Sequence, residues 1–207
     1  ALYSSASDGF SFNKLTQSMK HPGGILIFLR HSTDSEHSSK SDSVIFGGFA
    51  SQPWIDDASH SQDDRSYVFS VYPKFQNYFT KPKTADNQNP DCTYLNSDER
   101  SKKPRGIGFG GSGEGRFRLW IDADIRNGSY VESGDDTYEK GPLVPPHVKK
   151  LNIDYIEVWG LEPSVWNTEF NLTITRNTGL VGSKMIRESA TPDNVELIYT
   201  ANLTKSQ

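Results

Sequence analysis

Seven short apolar or alternating runs follow one another through the first four-fifths of the chain. They lie at residues 25–29, 44–50, 67–72, 92–96, 107–110, 117–122 and 153–159. Runs of this length, separated by polar and turn-forming segments, are typical of β-strands. The second and third runs are apolar on both faces, which predicts that they lie between covering layers. Because each strand must bury one face against a second layer, we expect an antiparallel β-sandwich of two sheets.

The run at residues 117–122 illustrates the alternation. Phe117, Leu119 and Ile121 share one face, and the intervening positions, beginning with Arg118, share the other. Since successive side chains of a strand point to opposite faces, the first set is expected in the core and Arg118 at the surface.

A short amphipathic helix is predicted before the first strand. Ser11 is a suitable N-cap, and Phe12, Leu15 and Met19 follow at helical spacing. Pro22 and the two glycines after it end the pattern. The predicted fold class is therefore α+β and rich in strands, with a few short helices flanking the sandwich.

The strand pattern stops after Leu161. Residues 1–161 are predicted to form one domain, with long polar connections at 32–43 and 76–91. Residues 162–207 are expected to be an extension that packs on this domain or is partly flexible, because about 45 residues rarely bury a core alone. Two strand-like runs lie within that extension, at 170–175 and 196–201.

Charge and hydropathy exclude two classes of partner. The chain has 22 Lys and Arg residues against 26 Asp and Glu, a net charge of −4. No overall positive field favours a nucleic acid. The basic cluster Arg100, Lys102, Lys103 and Arg105 is read as a solvated loop, with a phosphate or lipid-headgroup site as the alternative. No apolar run approaches the ~20 residues of a membrane-spanning helix, so no integral membrane segment is expected.

Cysteine usage and sequons point to different compartments. The single cysteine, Cys92, permits no intrachain disulfide and favours a reducing, cytoplasmic location. Asn127, Asn171 and Asn202 begin glycosylation sequons, which short chains also contain by chance. A secreted glycan-binding sandwich is therefore kept as one alternative, with an aromatic platform drawn from Trp54, Trp120 and Trp166.

The sequence contains partial matches to cofactor and metal motifs, but each lacks a required feature. Residues 106–111 match GxGxxG, but an amphipathic strand follows them where a helix would have to hold a pyrophosphate. Asp122 and Asp124 begin a calcium-loop pattern that Arg126 and Asn127 break. The five histidines show no zinc spacing. We expect neither a cofactor nor a metal.

Three carboxylates define an enzymatic alternative. Glu157 shares a predicted strand face with Tyr155 and Trp159, where a carboxyl group is either a hydrogen-bonded structural acid or a general acid with a shifted pKa. Asp122 or Asp124 would complete a catalytic pair. Convergence of these groups in one open pocket would support an enzyme of unknown chemistry.

The glycine-rich segment at residues 106–115 is the main candidate binding element. Glycines keep its backbone accessible, either because a bulged hairpin needs positive φ or because a partner approaches closely. In the second interpretation the contact residues are Arg105, Gly108, Gly110, Gly111, Ser112, Glu114, Arg116 and Trp54.

Seven blocks in order resemble the TLDc domain of oxidation resistance proteins. They are LYSSASDGFSFNKL, VIFGGFAS with Trp54 after it, SYVFSVYP, YLN, GIGFGG, FRLWIDAD and IEVWGL, and they span residues 2–161. The resemblance implies an αβ sandwich of two antiparallel sheets and protection against oxidative stress. It also implies binding to the vacuolar proton-pumping ATPase, with no agreed catalytic reaction.

On this resemblance the chain is expected to be a non-enzymatic, cytoplasmic interaction domain that a partner recruits to organelle membranes. One departure concerns thiol chemistry. Many relatives carry a cysteine after the LWID strand, whereas the corresponding residues here, 132–139, contain none. Cys92 is expected to be a buried packing residue, so scavenging of oxidants by a thiol is not expected.

Overall fold

The computed structural model describes residues 1–32, 43–81, 91–111, 117–133, 135–146, 148 and 151–161. The chain divides into two units, Ala1–Pro163 and Ser164–Gln207. The second unit, including the expected strands at 170–175 and 196–201, lies outside the described residues. So do most residues of the two long connections.

The described residues of the first unit form two short helices and eleven strands. In chain order they are β1 (Tyr3–Ser4), α1 (Ser5–Asp8), α2 (Phe12–Ser18), β2 (Gly24–His31), β3 (Val44–Ala50), β4 (His60–Gln62), β5 (Tyr67–Tyr72), β6 (Gln76–Phe79), β7 (Asp91–Asn96), β8 (Gly106–Phe109), β9 (Leu119–Asp122), β10 (Tyr130–Val131) and β11 (Ile153–Leu161).

The strands form two sheets, and every strand pairing within them is antiparallel. The first sheet has the order β1-β11-β2-β3-β5-β6, and the second has the order β10-β9-β8-β7-β4. The predicted strand-rich α+β fold with two antiparallel sheets is confirmed.

The core lies between the two sheets. Ile27 of the first sheet and Leu119 and Ile121 of the second are fully buried in one hydrophobic cluster. Gly48 of β3 approaches the Phe109 ring of β8 so closely that a Cβ would come within 2.6 Å of it. The two inner faces therefore interdigitate as they do in a sandwich.

The predicted helix is present as α2. The Ser11 side chain accepts a hydrogen bond from the Lys14 backbone N–H at 3.4 Å, and Leu15 and Met19 are fully buried. The one-turn helix α1 was not expected from the sequence, because four residues are too few to establish a helical period.

Two expectations about strands were wrong in part. The segment 76–91 was expected to be a polar connection, yet it begins with β6, whose Tyr78 packs into the core. The third apolar run was expected to be covered on both faces, but Val71 and Tyr72 at the end of β5 are 36% and 52% exposed. This strand leaves the covered part of the sheet as it enters the β5–β6 turn.

Candidate functional site

Two glycines of β8 lie beneath aromatic rings on the outer face of the second sheet. A Cβ at Gly106 would overlap the ring of Trp120, and one at Gly108 would overlap the ring of Phe117. The two rings are stacked, with centroids 4.6 Å apart. The absence of glycine side chains thus makes room for the protein's own aromatic residues.

The next two glycines are required by the backbone. Gly110 has φ +77° and Gly111 has φ +117°, a region that favours glycine. The Gly110 N–H donates to the Cys92 carbonyl at 2.8 Å, and a Cβ at Gly110 would lie 2.6 Å from an Asp135 carboxylate oxygen. Turn geometry and packing account for these glycines, and a contact role for them stays a prediction. Ser112, Glu114 and Arg116 lie outside the described residues.

Arg105 is tied to its own domain. Its guanidinium donates to the Ser97 carbonyl at 3.1 Å and pairs with Glu99 at 2.9 Å. It also lies 5.2 Å from the centroid of the Phe12 ring, next to α2. Because 28% of the side chain is exposed, Arg105 reaches the surface with most of its bonding capacity already used.

The other three members of the basic cluster differ in their contacts. Arg100, Lys102 and Lys103 are all exposed, and the Lys103 ammonium donates to the Ala58 carbonyl at 2.6 Å. The segment therefore combines one anchoring lysine with two solvated cations.

Trp54 does not lie on the surface. It is 6% exposed and packs edge-to-face against Phe109, with centroids 5.2 Å apart. The expectation that Trp54 helps to form a contact surface is corrected, because the apolar indole fills space beside the core. Trp120 is 4% exposed, and Trp166 lies outside the described residues. Neither Trp54 nor Trp120 supplies the aromatic platform of the glycan-binding alternative.

Arg118 is fully buried, which contradicts the expected surface position. It donates to the backbone carbonyls of Glu132 and Gly141, and its Nε lies 4.0 Å from a carboxylate oxygen of Asp135. The guanidinium also lies 5.0 Å from the Tyr78 ring centroid. Arg118 joins the start of β9 to the segment after β10 through polar contacts that strand alternation does not reveal.

Asp135 is the acidic partner of this buried pair. Its second carboxylate oxygen accepts hydrogen bonds from the backbone N–H groups of Thr137 and Tyr138, at 3.0 and 3.2 Å. Burial raises the pKa of Asp135, which its hydrogen bonds and Arg118 oppose, and burial lowers the pKa of Arg118.

Phe117 was also assigned to the wrong face. Leu119 and Ile121 belong to the main core, but Phe117 lies with Tyr94 and Trp120 in a second apolar cluster. The reason is local: β9 begins at Leu119, so strict alternation does not extend back to Phe117.

Two of the three candidate carboxylates, Glu157 and Asp122, lie on different sheets. On β11 the neighbours of Glu157, Ile156 and Val158, point into the core, so Glu157 lies on the outer face of the first sheet. Asp122 alternates with the core residue Ile121 and lies on the outer face of the second sheet.

Asp122 is also used locally. It accepts hydrogen bonds from the Trp120 indole N–H at 3.2 Å and from the Asp124 backbone N–H at 2.8 Å. Asp124 is exposed and accepts from the Asn127 amide at 2.9 Å. Opposite outer faces of a sandwich cannot supply one catalytic pair, so the proposed pairing of Glu157 with Asp122 is corrected. Asp124 lies in the turn after β9, and its pairing with Glu157 stays a prediction.

Cys92 is fully buried, as expected from the sequence. Burial raises the pKa of its thiol to about 11. Since the thiolate is the reactive form, this side chain is poorly suited to react with oxidants at neutral pH.

Within the part of the chain that the structure describes, no group of three or more His, Cys, Asp or Glu residues is placed to hold a metal ion. The same residues contain no helix with the length and apolar character needed to cross a membrane.

An exposed apolar patch at the β5–β6 turn was missed by the sequence analysis. We call Val71, Tyr72 and Phe75, which are 36%, 52% and 56% exposed, the hairpin patch. Pro73 and Lys74, which lie between Tyr72 and Phe75 in the chain, line a cleft of about 220 Å³ together with Tyr78 and Pro142. The sequence signal was the continuation of apolar residues through the turn of YVFSVYPKF.

Comparison with known proteins identifies relatives of the first unit. A family model described as TLDc domain matches residues 1–162. The chain is 32% identical over 161 residues to the zebrafish (Danio rerio) MTOR-associated protein MEAK7, covering 77% of this chain and 32% of the relative. The human (Homo sapiens) protein of that name is 30% identical over 164 residues, covering 79% and 32%. Oxidation resistance protein 1 of cattle (Bos taurus) is 33% identical over 125 residues, covering 59% and 12%. The chain thus spans about a third of the length of the MEAK7 proteins.

Proposed function

This chain belongs to the TLDc domain family, and we propose that it is a non-catalytic interaction domain that supports oxidative-stress resistance by docking on the vacuolar proton-pumping ATPase. The observation that carries the proposal is the family match, which extends over both sheets of the sandwich. A relative named for oxidation resistance supports the stress role. The pump as partner comes from what the TLDc resemblance implies.

The state of Cys92 favours action through a partner. A fully buried thiol with a pKa of about 11 makes direct scavenging by this residue inefficient. The separation of Glu157 from Asp122 removes one of the two catalytic pairings that the sequence suggested. A cytoplasmic location, at the soluble sector of the pump, is part of this proposal.

A second candidate function comes from the names of several relatives. Proteins called MTOR-associated protein MEAK7 match this chain in fish, birds, amphibians and mammals. The alternative is that this domain associates with an mTOR kinase complex. Both candidates belong to the interaction class and differ in the partner recovered.

Affinity capture tests the two candidates together. The 207-residue chain is immobilised and exposed to detergent extracts of membranes, once with ATP and once after nucleotide depletion. Soluble-sector pump subunits are expected on the resin in at least one condition. Ile121→Asp places an unpaired charge in the core and should unfold the sandwich, so it controls for non-specific capture. Capture of mTOR without pump subunits would select the second candidate, and capture of neither would refute both.

The glycine-rich segment is tested in the same assay. Ser112→Ala with Glu114→Ala keeps every glycine but removes two side chains that a partner could recognise. If this segment is the interface, capture should fall by about tenfold, or about 1.4 kcal/mol, without a change in melting temperature. Capture unchanged by this pair, and by Arg105→Ala and Arg116→Ala, would place the interface elsewhere.

A further inference from the structure

We propose that the cleft beside the hairpin patch is a peptide-binding site, which takes an apolar side chain of a partner protein flanked by acidic residues. The site lies at the β5–β6 edge of the first sheet and is separate from the glycine-rich segment. The inference holds whichever complex the domain serves, and it goes beyond the proposed docking on the pump.

The first argument is the concentration of exposed apolar surface. Val71, Tyr72 and Phe75 are three of the six large apolar side chains that are exposed in the described part of the chain, and they fall within five consecutive residues. Single exposed apolar residues are ordinary, whereas several within one turn whose neighbours Pro73 and Lys74 line a cleft are typical of an interaction site.

Residues of the hydrophobic core form part of the wall of the cleft. Leu143 and Val144, which line it, also belong to the main hydrophobic core. The Tyr78 hydroxyl donates to the Pro142 carbonyl at 2.8 Å. Arg118 also contacts Tyr78, with its guanidinium 5.0 Å from the ring centroid. A cleft built from core residues and prolines is already formed before a ligand arrives, so binding orders little of the protein.

The size of the cleft selects the kind of ligand. Its volume of about 220 Å³ is below the range of roughly 300–1,000 Å³ that is usual for small-molecule and cofactor pockets. It suits one apolar anchor residue whose neighbours in the peptide lie across the exposed Tyr72 and Phe75.

Addition of a strand to the sheet is excluded as the binding mode at the end of β6. The Phe79 carbonyl already accepts the Glu139 backbone N–H at 2.8 Å, and the Phe79 N–H donates to the Glu139 side chain at 3.1 Å. Thr80 forms a bridge with Tyr138 just beyond this point. Because these backbone groups are occupied, a partner at this end of β6 must be recognised through side chains.

The charged residues near the cleft indicate which residues flank the apolar anchor of the peptide. Within the described lining, Lys74 is the charged residue, and Lys140 is exposed two residues before the lining residue Pro142. Glu139, the acid beside Lys140, is committed to the Phe79 N–H. Lys74 in the lining, with the exposed Lys140 close to Pro142 in the chain, complements carboxylates on the ligand and disfavours a basic peptide.

Selection from a phage-displayed library of random dodecapeptides on the immobilised 207-residue chain tests the inference. The enriched peptides should share an apolar anchor with Asp or Glu on its flanks. Enriched peptides are then synthesised with a fluorescent label, and their binding is measured by anisotropy. Enrichment of basic peptides, or no enrichment, would overturn the proposal.

The variants used in the anisotropy assay distinguish binding at the cleft from non-specific binding to exposed apolar residues. Tyr72→Ser with Phe75→Ser should weaken binding at least tenfold, and Lys74→Glu should weaken binding of the acidic peptides. Ile55→Ser is the matched control, because Ile55 is 56% exposed, as Phe75 is, but precedes the Asp56–Leu95 bridge of the second sheet. All variants should keep the parental melting temperature, since the altered side chains are exposed. Equal binding by the hairpin and control variants would refute the site.

A lipid surface is the competing occupant. Vesicles of phosphatidylcholine with phosphatidylserine are sedimented with the wild-type chain and with the Tyr72→Ser/Phe75→Ser variant. Little sedimentation of either is expected. Sedimentation of the wild type alone would show that the hairpin patch inserts into anionic membranes and would replace the peptide assignment. The outcome is independent of the pump-capture experiment, which can fail while the peptide site stands.

Discussion

Replacing Arg118 with methionine should destabilise the domain severely. Methionine keeps much of the side-chain volume, but it removes the cation beside Asp135 and the donors to the Glu132 and Gly141 carbonyls. Both members of the ion pair have at most 1% of the side chain exposed. Breaking such a buried pair from one side costs about 3–5 kcal/mol, because the remaining charge stays buried without its partner. For a domain of this size the melting temperature should fall by roughly 6–20 °C.

The loss of stability in the Arg118→Met variant should depend on pH. In the wild type, burial already raises the pKa of Asp135, and Arg118 opposes that rise. Without Arg118 the pKa of Asp135 in the folded state should rise further above its unfolded value. A group with a raised folded-state pKa contributes stability below its unfolded pKa and loses it as the pH rises through the folded pKa. The variant should therefore be closest to the wild type in mild acid and furthest from it above neutral pH.

Urea denaturation followed by tryptophan fluorescence measures the change, since Trp54 and Trp120 are buried and become exposed on unfolding. The double variant Arg118→Met/Asp135→Asn removes both charges and leaves an amide oxygen that can still accept from the Thr137 and Tyr138 N–H groups. It should recover about 1–3 kcal/mol relative to the single variant.

Arg100→Met is the matched control, because Arg100 is exposed, and it should change stability by no more than about 0.5 kcal/mol. An Arg118→Met variant as stable as this control would show that Arg118 is not buried against Asp135. A double variant no more stable than the single one would show that the cost does not arise from the unpaired acid.

Three further predictions use the same preparations. Leu119→Ala should cost about 2–5 kcal/mol in the urea titration through the cavity it leaves, and a cost under about 1 kcal/mol would remove Leu119 from the core. With a pKa of about 11, the Cys92 thiol should react with a disulfide reagent at neutral pH at least ~100-fold more slowly in the folded protein than in urea, and equal rates would show that it is accessible. Gly108→Ala should cost about 1–3 kcal/mol by displacing the Phe117 ring, and Phe117→Leu should recover part of that loss; a neutral Gly108→Ala would contradict the close approach.

The apolar pattern of the sequence was sufficient to predict the two sheets. Core positions such as Ile25, Ile27 and Leu29 repeat every second residue, and burial of a whole strand face depends on that repeat more than on the details of packing. The helix signal was equally local, since Ser11 and the apolar spacing after it lie within one short segment. Properties set by neighbours along the chain are readable from the sequence.

The burial of Arg118 depends on contacts that are distant along the chain. Its partners, Glu132, Asp135 and Gly141, come from the segment after β10, where no periodicity marks them. A charged residue in an alternating strand is ordinarily exposed, so the general rule led to the wrong face. The short strand β6 was missed for a related reason, because four residues show too little period and depend on pairing with β5.

The candidate site was predicted only in part. A run of glycines has the same sequence signature whether a partner or the protein's own rings approach the backbone. The structure shows that Trp120 and Phe117 occupy the space over Gly106 and Gly108, which a sequence cannot indicate because the rings come from another strand and the loop before it. Trp54 was similarly ambiguous, since a large aromatic residue is as suitable for a core as for an interface.

The distribution of aromatic side chains decides where this domain has room for a partner. On the second sheet, Trp120 and Phe117 stack on one another and cover the glycines of β8, so a partner would have to displace packed rings to reach that backbone. At the β5–β6 turn, Tyr72 and Phe75 are exposed beside a cleft whose base is core. Binding there would bury apolar surface that water now covers, at ~25 cal/mol per Å², without loss of existing contacts. Of these two surfaces, the hairpin patch therefore requires less rearrangement of the domain on binding.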